Sequence, residues 1–281
     1  MRALGYPDCR GVPTQPPADA GQRMGARDTP SSLAPRVHAA LAGVLGTRRL
    51  RRISGDTTRL PTPAPARHHR HLRPLTTYPG ERSGFAGVIL AGGRGERYGG
   101  PKALARLPDG RTFLTACADA LVTAGANPIV ATLPPAVSVP TDRRVAAVPL
   151  PCAGLAMFDS LRLALQRALE HAGWAAAVVL PVDHPLVAPE TIRALGAYVA
   201  LAAIPSWHGK HGHPVMLSRS LATGIVSGAL AGPTLRDVLR ETGAADVAVD
   251  DMGITANCNS PEALAAAIEA RDRSRLAPPK R

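Results

Sequence analysis

The sequence is poor in aromatic residues, carries few cysteines and contains no long apolar run. Phe, Trp and Tyr make up 3% of its 281 residues, and its basic stretches lack the aromatic interleaving that stacks nucleic-acid bases. The four cysteines form no CxxC pair, which argues against a disulfide framework or a cysteine zinc site and favours a reducing compartment. No apolar run approaches the ~20 residues of a membrane span. We therefore expect a cytoplasmic protein without a membrane partner.

The basic charge of the chain is concentrated at its two ends. The formal net charge is +12, but residues 1–82 carry 14 basic and 5 acidic side chains, and residues 271–281 carry 5 basic and 1 acidic. The segment between these ends is left with a formal charge of −1. The high isoelectric point therefore belongs to the ends, and nucleic acid is not the expected partner of the central domain.

Residues 1–82 have the composition of a disordered leader. They hold 11 of the 28 prolines, several adjacent arginines and no helical or strand period, so they lack the apolar content that would order them. An Arg-rich, acid-poor leader is compatible with a transit peptide or a weak RNA-binding arm. The plainer alternatives are a solvated linker or a start assigned too far upstream, for which Met24 is an internal candidate.

From Ser83 onward, apolar runs alternate with amphipathic segments. The pattern predicts strands over 85–90, 128–133, 174–181, 213–217 and 246–249, and helices over 112–124, 159–171, 189–202 and 261–271. Strands that alternate with helices of this length are typical of βαβ units. We predict a Rossmann-like, doubly wound and mostly parallel α/β sheet in a single domain over 83–270, followed by a basic flexible tail over 271–281.

A glycine-rich loop follows the first predicted strand, with the sequence Leu90-Ala-Gly-Gly-Arg-Gly-Glu-Arg-Tyr-Gly-Gly-Pro-Lys102. Such a loop lets backbone N–H groups approach phosphate oxygens. It is not a Walker A loop, because no Gly-Lys-Ser/Thr follows, and Tyr98 occupies the third glycine position of the dinucleotide fingerprint. Arg97 and Lys102 place two cations in the loop, which suits a triphosphate. The plainer alternative is a tight turn with a solvated basic edge.

This loop and four later segments together resemble the MobA-like nucleotidyltransferases, which include molybdenum cofactor cytidylyltransferases and guanylyltransferases. The resemblance covers residues 84–270 and implies a nucleotidyltransferase domain there. It also implies that the loop contacts the nucleotide, through Leu90, Ala91, Gly92, Gly93, Gly95, Arg97 and Lys102.

Two of the later segments resemble metal-binding motifs of the family. Pro181-Val-Asp-His-Pro185 is similar to the family's D-x-P segment, which implies that Asp183 binds Mg²⁺ at the nucleotide phosphates. Asn257-Cys-Asn-Ser-Pro-Glu262 is similar to the closing N-x-N-S/T-P-E segment, which implies Asn257 as a second metal ligand. An Asp-x-Pro turn and a capping box beginning at Ser260 are the plainer alternatives.

Another segment resembles the part of the family fold that closes over the nucleotide. Gly154-Leu-Ala-Met-Phe-Asp-Ser160 begins at a glycine and leads into a predicted helix, and the resemblance implies nucleotide contacts from Gly154 and Ser160. The alternative is a helix N-terminus capped by Asp159 or Ser160.

The last segment, Gly212-His-Pro-Val215, is similar to the family's G-H-P-V segment beside the acceptor substrate. The resemblance implies acceptor contacts from His213 and Pro214, with His184 as a further contact. His208 and His211 lie close to His213 in sequence and suggest zinc, but the pattern offers no fourth ligand or nearby acid.

One segment departs from the family pattern. Cytidylyltransferase relatives show a G-D-x-G-A-R segment after the G-H-P-V strand, whereas this chain has Gly232-Pro-Thr-Leu-Arg-Asp-Val-Leu239. The departure leaves the acceptor and the base preference open. Arg236 is either a cation for an acceptor phosphate or, as the plainer alternative, a surface helix charge.

The resemblance implies an Mg²⁺-dependent enzyme that transfers the NMP group of an NTP to a phosphorylated acceptor and releases pyrophosphate. The implied acceptor is molybdopterin, with CTP favoured over GTP, and the implied protein partner is a molybdoenzyme or its chaperone. Arg97, Lys102 and Asp183 are the predicted catalytic residues. The alternatives are a transferase for a sugar phosphate or phospholactate, a catalytically weak nucleotide-binding protein, and an RNA-associated protein acting through its leader.

Overall fold

The computed structural model describes residues 84–135, 137, 144–152, 154–230 and 232–276, so the leader predicted over 1–82 lies outside the described residues. The strands are β1 (Gly84–Leu90), β2 (Ile129–Leu133), β3 (Val145–Pro149), β4 (Trp174–Pro181), β5 (Ala202–Trp207), β6 (Lys210–His211), β7 (Val215–Ser218) and β8 (Ala245–Ala248). The helices are α1 (Phe113–Ala124), α2 (Met157–Leu169), α3 (Pro189–Gly196), α4 (Arg219–Ser227), α5 (Leu235–Thr242) and α6 (Pro261–Leu276).

The strands of the described residues form one sheet in the order β3-β2-β1-β4-β7-β5-β6, and β8 pairs with β5. β1 to β4 are mutually parallel, whereas β7 is antiparallel to both of its neighbours. β1 and β4 lie side by side in the interior of the sheet, where most of their apolar residues are buried, as is typical of parallel strands covered on both faces. The mostly parallel α/β sheet that the sequence predicts is confirmed.

Helices cover both faces of the sheet. Neighbouring residues of β1 point to opposite faces, so Ile89 joins the core shared with α1, α3 and α6, while Val88 joins the core shared with α2, α4 and α5. Phe113 of α1 and Leu165 of α2 are fully buried in these two cores. With both faces covered, the carboxyl edge of the parallel strands is the place where loops can form a site.

Local signals in the sequence fix the starts of two helices. Thr112 Oγ1 accepts a hydrogen bond from the N–H of Thr115 (3.1 Å) at α1, and Ser260 Oγ accepts one from the N–H of Ala263 (3.2 Å) at α6. Each bond satisfies a backbone donor that has no partner within its helix. The predicted cap at Ser260 is therefore confirmed.

Other elements differ from the prediction. The helix predicted over 189–202 ends at Gly196, where an added side chain would come within 2.5 Å of the Phe85 ring, and Ala202 begins β5. The apolar residues of β5 pair with β7 and β8 instead of continuing the helix. The sequence did not predict β3, β5, β6, α4 or α5, and α6 continues to Leu276 rather than ending at Arg271.

The described cysteines are in two states. Cys117 and Cys258 are buried free thiols, whereas Cys152 is disulfide-bonded, a bond that the cysteine spacing did not predict.

Among the helices of the described ranges, none has the length and apolar character needed to cross a membrane.

Candidate functional site

The candidate site lies where β1 and β4 end beside each other. The glycine loop begins after Leu90 at the end of β1, and Asp183 follows Pro181 at the end of β4. The two chain segments are tied together directly, because the N–H of Val182 donates to the carbonyl of Leu90 at 3.0 Å. Ligands of open α/β sheets bind at such an edge, and the pairing of β1 with β4 brings the two motifs together there.

Within the glycine loop, Gly95 packs against backbone and Gly92 against a buried side chain, whereas Gly93 is open. Gly95 has a φ of +65°, and a side chain there would lie 2.0 Å from the carbonyl oxygen of Gly100. At Gly92 a side chain would come within 2.2 Å of Leu150. At Gly93 it would meet nothing within 4 Å. The loop is therefore tightly folded around Gly95, while the backbone at Gly93 remains accessible to a ligand.

Lys102 connects the loop to the two predicted metal-binding motifs. Its Nζ lies 3.3 Å from Asp183 Oδ2 and also donates to Asn259 Oδ1. The side chains of Lys102 and Asp183 are 20% and 19% exposed, so the ion pair is shielded but within reach of solvent. The backbone N–H of Cys258 donates to the Asp183 carbonyl at 2.8 Å, which fixes the closing segment against Asp183.

Tyr98 provides a second connection that the sequence did not predict. Its hydroxyl donates to the carbonyl of Cys258 at 3.2 Å, and its ring packs edge-on against Phe113 at 5.6 Å between centroids. Burial, followed by the neighbouring Cys258, raises the pKa of Tyr98 to about 12, so the hydroxyl remains a donor at neutral pH. The departure from the dinucleotide fingerprint at this position was the only sequence signal that could have singled out Tyr98.

Two of the predicted site residues lie apart from this cluster. Asn257 is exposed, and it is Asn259 rather than Asn257 whose side chain meets Lys102. Arg97 is exposed on the short 3-10 helix Glu96–Tyr98. Within the described residues, neither side chain makes a hydrogen bond or ion pair with the Lys102 cluster.

His184 and His213 form a pair of imidazoles next to Asp183. Their ring centroids are 4.8 Å apart, and the Nδ1 atoms of both are buried without a hydrogen-bond partner within the described residues. Burial lowers the pKa of His184, and burial together with His184 lowers the pKa of His213 to about 4. Both rings are therefore neutral near pH 7 and present polar atoms without charge.

Arg236 and the histidines of 208–213 concern two further predictions. The charge of Arg236, at an exposed position on α5, contributes to lowering the pKa of His213. His211 is exposed, and its Nε2 atom lies 3.5 Å from Asp246 Oδ1. His213, by contrast, packs against His184. The described parts of the chain hold no group of three metal-binding side chains, so the zinc suggestion gains no support.

The segment from Gly154 to Ser160 lies next to the glycine loop. Gly154 has a φ of +83°, and a side chain there would come within 2.9 Å of Arg94. α2 begins at Met157 after Ala156, so neither Asp159 nor Ser160 caps it, and the capping alternative is wrong. Ser160 is buried, with its hydroxyl 3.6 Å from where a side chain at Gly92 would begin.

The oxygen atoms of the Lys102 cluster are of the kind that binds a hard divalent cation. Asp183 offers a carboxylate and Asn259 an amide oxygen, and Mg²⁺ is commonly bound by one or two such oxygens together with phosphates and water. The cluster holds a single carboxylate, so most of the ligands of a bound metal would have to come from a nucleotide and from water. Asp183 and Asn259 are the residues that would hold it.

Comparison with known proteins gives one family and one curated relative. A model of the MobA-like NTP transferase domain family matches residues 87–247, more than half of the chain. A probable molybdenum cofactor guanylyltransferase from Rhodopirellula baltica is 38% identical over 117 residues, which cover 39% of this chain and 53% of that protein. The chain thus spans about half the length of the curated relative it matches.

Solved structures show the same fold. The protein Rv0371c from Mycobacterium tuberculosis H37Rv is 26% identical, with a TM-score of 0.54 over 66% of this chain and 98% of that chain. A second Rv0371c structure, described as a complex with manganese, is 24% identical, with a TM-score of 0.52 over 66% and 99%. A nucleotidyl transferase from Methanothermobacter is 18% identical, with a TM-score of 0.54 over 68% and 99%. At these identities the last two support the fold alone.

Proposed function

Since the chain belongs to the MobA-like NTP transferase family, we propose that it transfers the nucleoside monophosphate of an NTP to a phosphorylated acceptor and releases pyrophosphate. The observation that carries the proposal is the meeting of Lys102 with Asp183 and Asn259 at the carboxyl edge of the sheet. Three motif segments, distant in sequence, converge there on a cation, a carboxylate and an amide. These are the groups that phosphate and a divalent metal require.

In the proposed reaction, the glycine loop binds the triphosphate. The open backbone at Gly93 can approach phosphate oxygens, while Gly92 and Gly95 give the loop its shape. Arg97 and Lys102 neutralise the β- and γ-phosphates. Their charges stabilise the pyrophosphate as it leaves, because negative charge accumulates on it when its bond to the α-phosphorus breaks.

The acceptor phosphate acts as the nucleophile. An oxygen of this phosphomonoester attacks the α-phosphorus, a new phosphoanhydride bond forms, and the bond to the pyrophosphate oxygen breaks. A phosphomonoester is mostly ionised near neutral pH, because its second pKa is about 6. No strong general base is needed, and the neutral rings of His184 and His213 are consistent with a role in positioning. Catalysis then rests on orientation and charge neutralisation.

We propose Mg²⁺ as the divalent cation of the site. Asp183 would hold it together with an amide oxygen of the closing segment, for which Asn259 is better placed than the Asn257 that the sequence favoured. When bound, the ion neutralises phosphate charge and orients the triphosphate.

The acceptor side comprises His184, His213 and Pro214. The two uncharged rings suit contact with a polar heterocycle such as a pterin, and Arg236, whose charge acts on His213, would supply a positive charge for the acceptor phosphate. Together with the name of the Rhodopirellula baltica relative, these features favour molybdopterin as acceptor. A molybdoenzyme or its chaperone would then receive the product.

The nucleotide base is the least constrained part of the proposal. The resemblance favoured CTP, and Ser160, one of the implied nucleotide contacts, is buried. The curated relative is named a guanylyltransferase. We therefore propose GTP as the first candidate and CTP as the second.

A turnover assay tests the function. Full-length protein is incubated with Mg²⁺, molybdopterin and each of the four NTPs, while pyrophosphate release is measured and the product is identified by mass spectrometry. We expect a molybdopterin dinucleotide from one NTP. We also expect Asp183→Ala to reduce turnover by about 10² or more, because it removes the charge that holds the metal. Asp109→Ala removes an exposed carboxylate paired with Arg111 and serves as the matched control.

Three results would change the proposal. Pyrophosphate release with a sugar phosphate or phospholactate instead of molybdopterin would reassign the acceptor. Nucleotide binding without pyrophosphate release from any acceptor would reduce the protein to a nucleotide-binding role. Full activity of Asp183→Ala would remove Asp183 from the metal site.

A further inference from the structure

We propose that Lys102 is an internal counter-cation of the metal site, whose ammonium excludes a divalent cation until a nucleotide draws it away. The inference rests on the proposed function, because it concerns the same site, and it adds a rule for the order of binding. In the nucleotide-free protein, Asp183 Oδ2 and Asn259 Oδ1 are bound by Lys102. A divalent cation gains access to them only together with a nucleotide.

The contacts of Lys102 are the first step of the argument. Its Nζ donates to Asn259 Oδ1 and lies 3.3 Å from Asp183 Oδ2. These are the carboxylate and amide oxygens that Mg²⁺ or Mn²⁺ would use. The ammonium therefore occupies one oxygen of each side chain, Asp183 Oδ2 and Asn259 Oδ1, and a metal would compete with it for these two atoms.

Charge is the second step. Lys102 and Asp183 neutralise each other, and the Asn259 amide adds no charge, so the filled cluster offers a divalent cation no net attraction. No set of three His, Cys, Asp or Glu side chains suited to a metal occurs within the described ranges, so further carboxylates do not compensate for the ammonium. A divalent cation placed beside Lys102 would be repelled, and it would have too few protein ligands to replace its water.

A nucleotide changes both the contacts of Lys102 and the net charge of the cluster. A triphosphate offers Lys102 other oxygens, and it brings several negative charges and additional ligands for a metal. The lysine side chain is a flexible four-carbon stem that can swing between the two sets of oxygens. Its backbone need not move, because the N–H of Ala105 donates to the Lys102 carbonyl at 3.0 Å and holds the short 3-10 helix Lys102–Leu104 in place.

The test measures metal binding directly, with Mn²⁺ as the probe. Free Mn²⁺ is quantified by electron paramagnetic resonance during titration of the full-length protein without nucleotide. Lys102→Met and Lys102→Gln should lower the dissociation constant for Mn²⁺ by about tenfold or more relative to the wild type, because each leaves the Asp183 charge uncompensated. Lys102→Gln also retains a hydrogen-bonding group, so the test does not depend on the folding of a single variant.

Two controls isolate the site. Arg97→Met removes the other predicted cation of the same loop, which is exposed and lies outside the cluster, and it should bind Mn²⁺ as the wild type does. The double variant Lys102→Met/Asp183→Asn should lose the gained binding. The Mn²⁺ that still binds to this double variant is bound elsewhere on the chain, for example at His68, His69 and His71, and is subtracted from the other titrations.

The possible outcomes separate this inference from the proposed function. Equal Mn²⁺ affinity of the wild type and both Lys102 variants would overturn the inference, as would an equal gain in Arg97→Met. A repetition with GTP or CTP tests the function independently, since the wild type should then bind Mn²⁺. A gain in the Lys102 variants without any nucleotide effect would support exclusion of the metal by Lys102, but it would overturn the release of Lys102 by nucleotide and count against the nucleotidyltransferase.

Discussion

Gly95 and Gly93 lie two residues apart in the glycine loop but are constrained differently. Gly95→Ala places a side chain 2.0 Å from the Gly100 carbonyl at a φ of +65°, so the loop must rearrange. We expect a loss of stability on the order of 1–3 kcal/mol and a loss of NTP binding. Urea unfolding and an NTP titration followed by thermal shift measure the two effects.

Gly93→Ala is the matched variant for this prediction. Its side chain would meet nothing within 4 Å, so stability should remain that of the wild type. If phosphates approach the loop backbone here, the affinity for NTP should nevertheless fall. Unchanged NTP affinity in Gly93→Ala would place the phosphates elsewhere, and unchanged stability in Gly95→Ala would contradict the loop geometry.

His213 makes the stability of the protein depend on pH. Burial lowers its pKa to about 4 from 6.5, and burial lowers the pKa of His184 in the same direction. Between pH 6.5 and about 4 the unfolded chain binds a proton that the folded imidazole does not. The free energy of unfolding should therefore fall as the pH is lowered through this window, by at most about 3 kcal/mol from His213.

Urea unfolding of the wild type and of His213→Asn between pH 7.5 and 5 checks this prediction. The variant should lose less stability on acidification than the wild type. His171→Asn, at an exposed position, should follow the wild-type profile. Parallel profiles for the wild type and His213→Asn would contradict a buried neutral imidazole.

Still at the scale of residues, the sequence assigns residues to motifs but does not show which side chains meet. Lys102 and Asp183 were singled out as charged groups in two motifs, and the structure brings them within 3.3 Å. Asn257 and Asn259 are chemically identical in the sequence, and only the path of the backbone decides that Asn259 meets Lys102. Tyr98 could not be assigned a partner, because its hydrogen bond to Cys258 depends on the packing of distant segments.

At the scale of elements, α1 depends on its cap. Thr112 Oγ1 accepts from the N–H of Thr115 at 3.1 Å, and Thr112→Ala removes this bond. We expect the free energy of unfolding to fall by about 1 kcal/mol, measured by urea denaturation. Thr123→Ala, at an exposed position within the same helix, should cause no loss, because alanine is the better helix former. Equal losses in the two variants would exclude a capping role.

The elements with the strongest local signals were predicted well, and those that depend on pairing were not. β4 has the predicted bounds Trp174–Pro181, since its eight consecutive residues are apolar and all but Ala175 are buried, as is usual for a parallel strand covered on both faces. β5 was not predicted, and its first residue, Ala202, was read as the end of a helix, because apolar residues with little period suit either structure. β7 and β8 lie on either side of β5, and this pairing selected the strand.

At the scale of the whole molecule, the distribution of charge predicts how RNA would bind. The formal charge is −1 over 83–270, whereas both ends are basic. We expect that any RNA binding weakens steeply with salt, because it would depend on counterion release at the ends, and that NTP does not compete with it. Fluorescence polarisation with labelled RNA at two salt concentrations, with and without Mg²⁺ and NTP, measures this. Competition by NTP would instead place RNA at the glycine loop.

The sequence by itself determined the alternation of strands and helices, the glycine loop and the family, because these depend on local periodicity and on the order of short motifs. It did not determine which atoms meet. The contact of Lys102 with Asp183 and Asn259, the burial of the His184–His213 pair and the end of α3 at Gly196 all arise from segments far apart in the chain. Only the tertiary structure decided them, because they follow from packing between both faces of one sheet and its carboxyl edge.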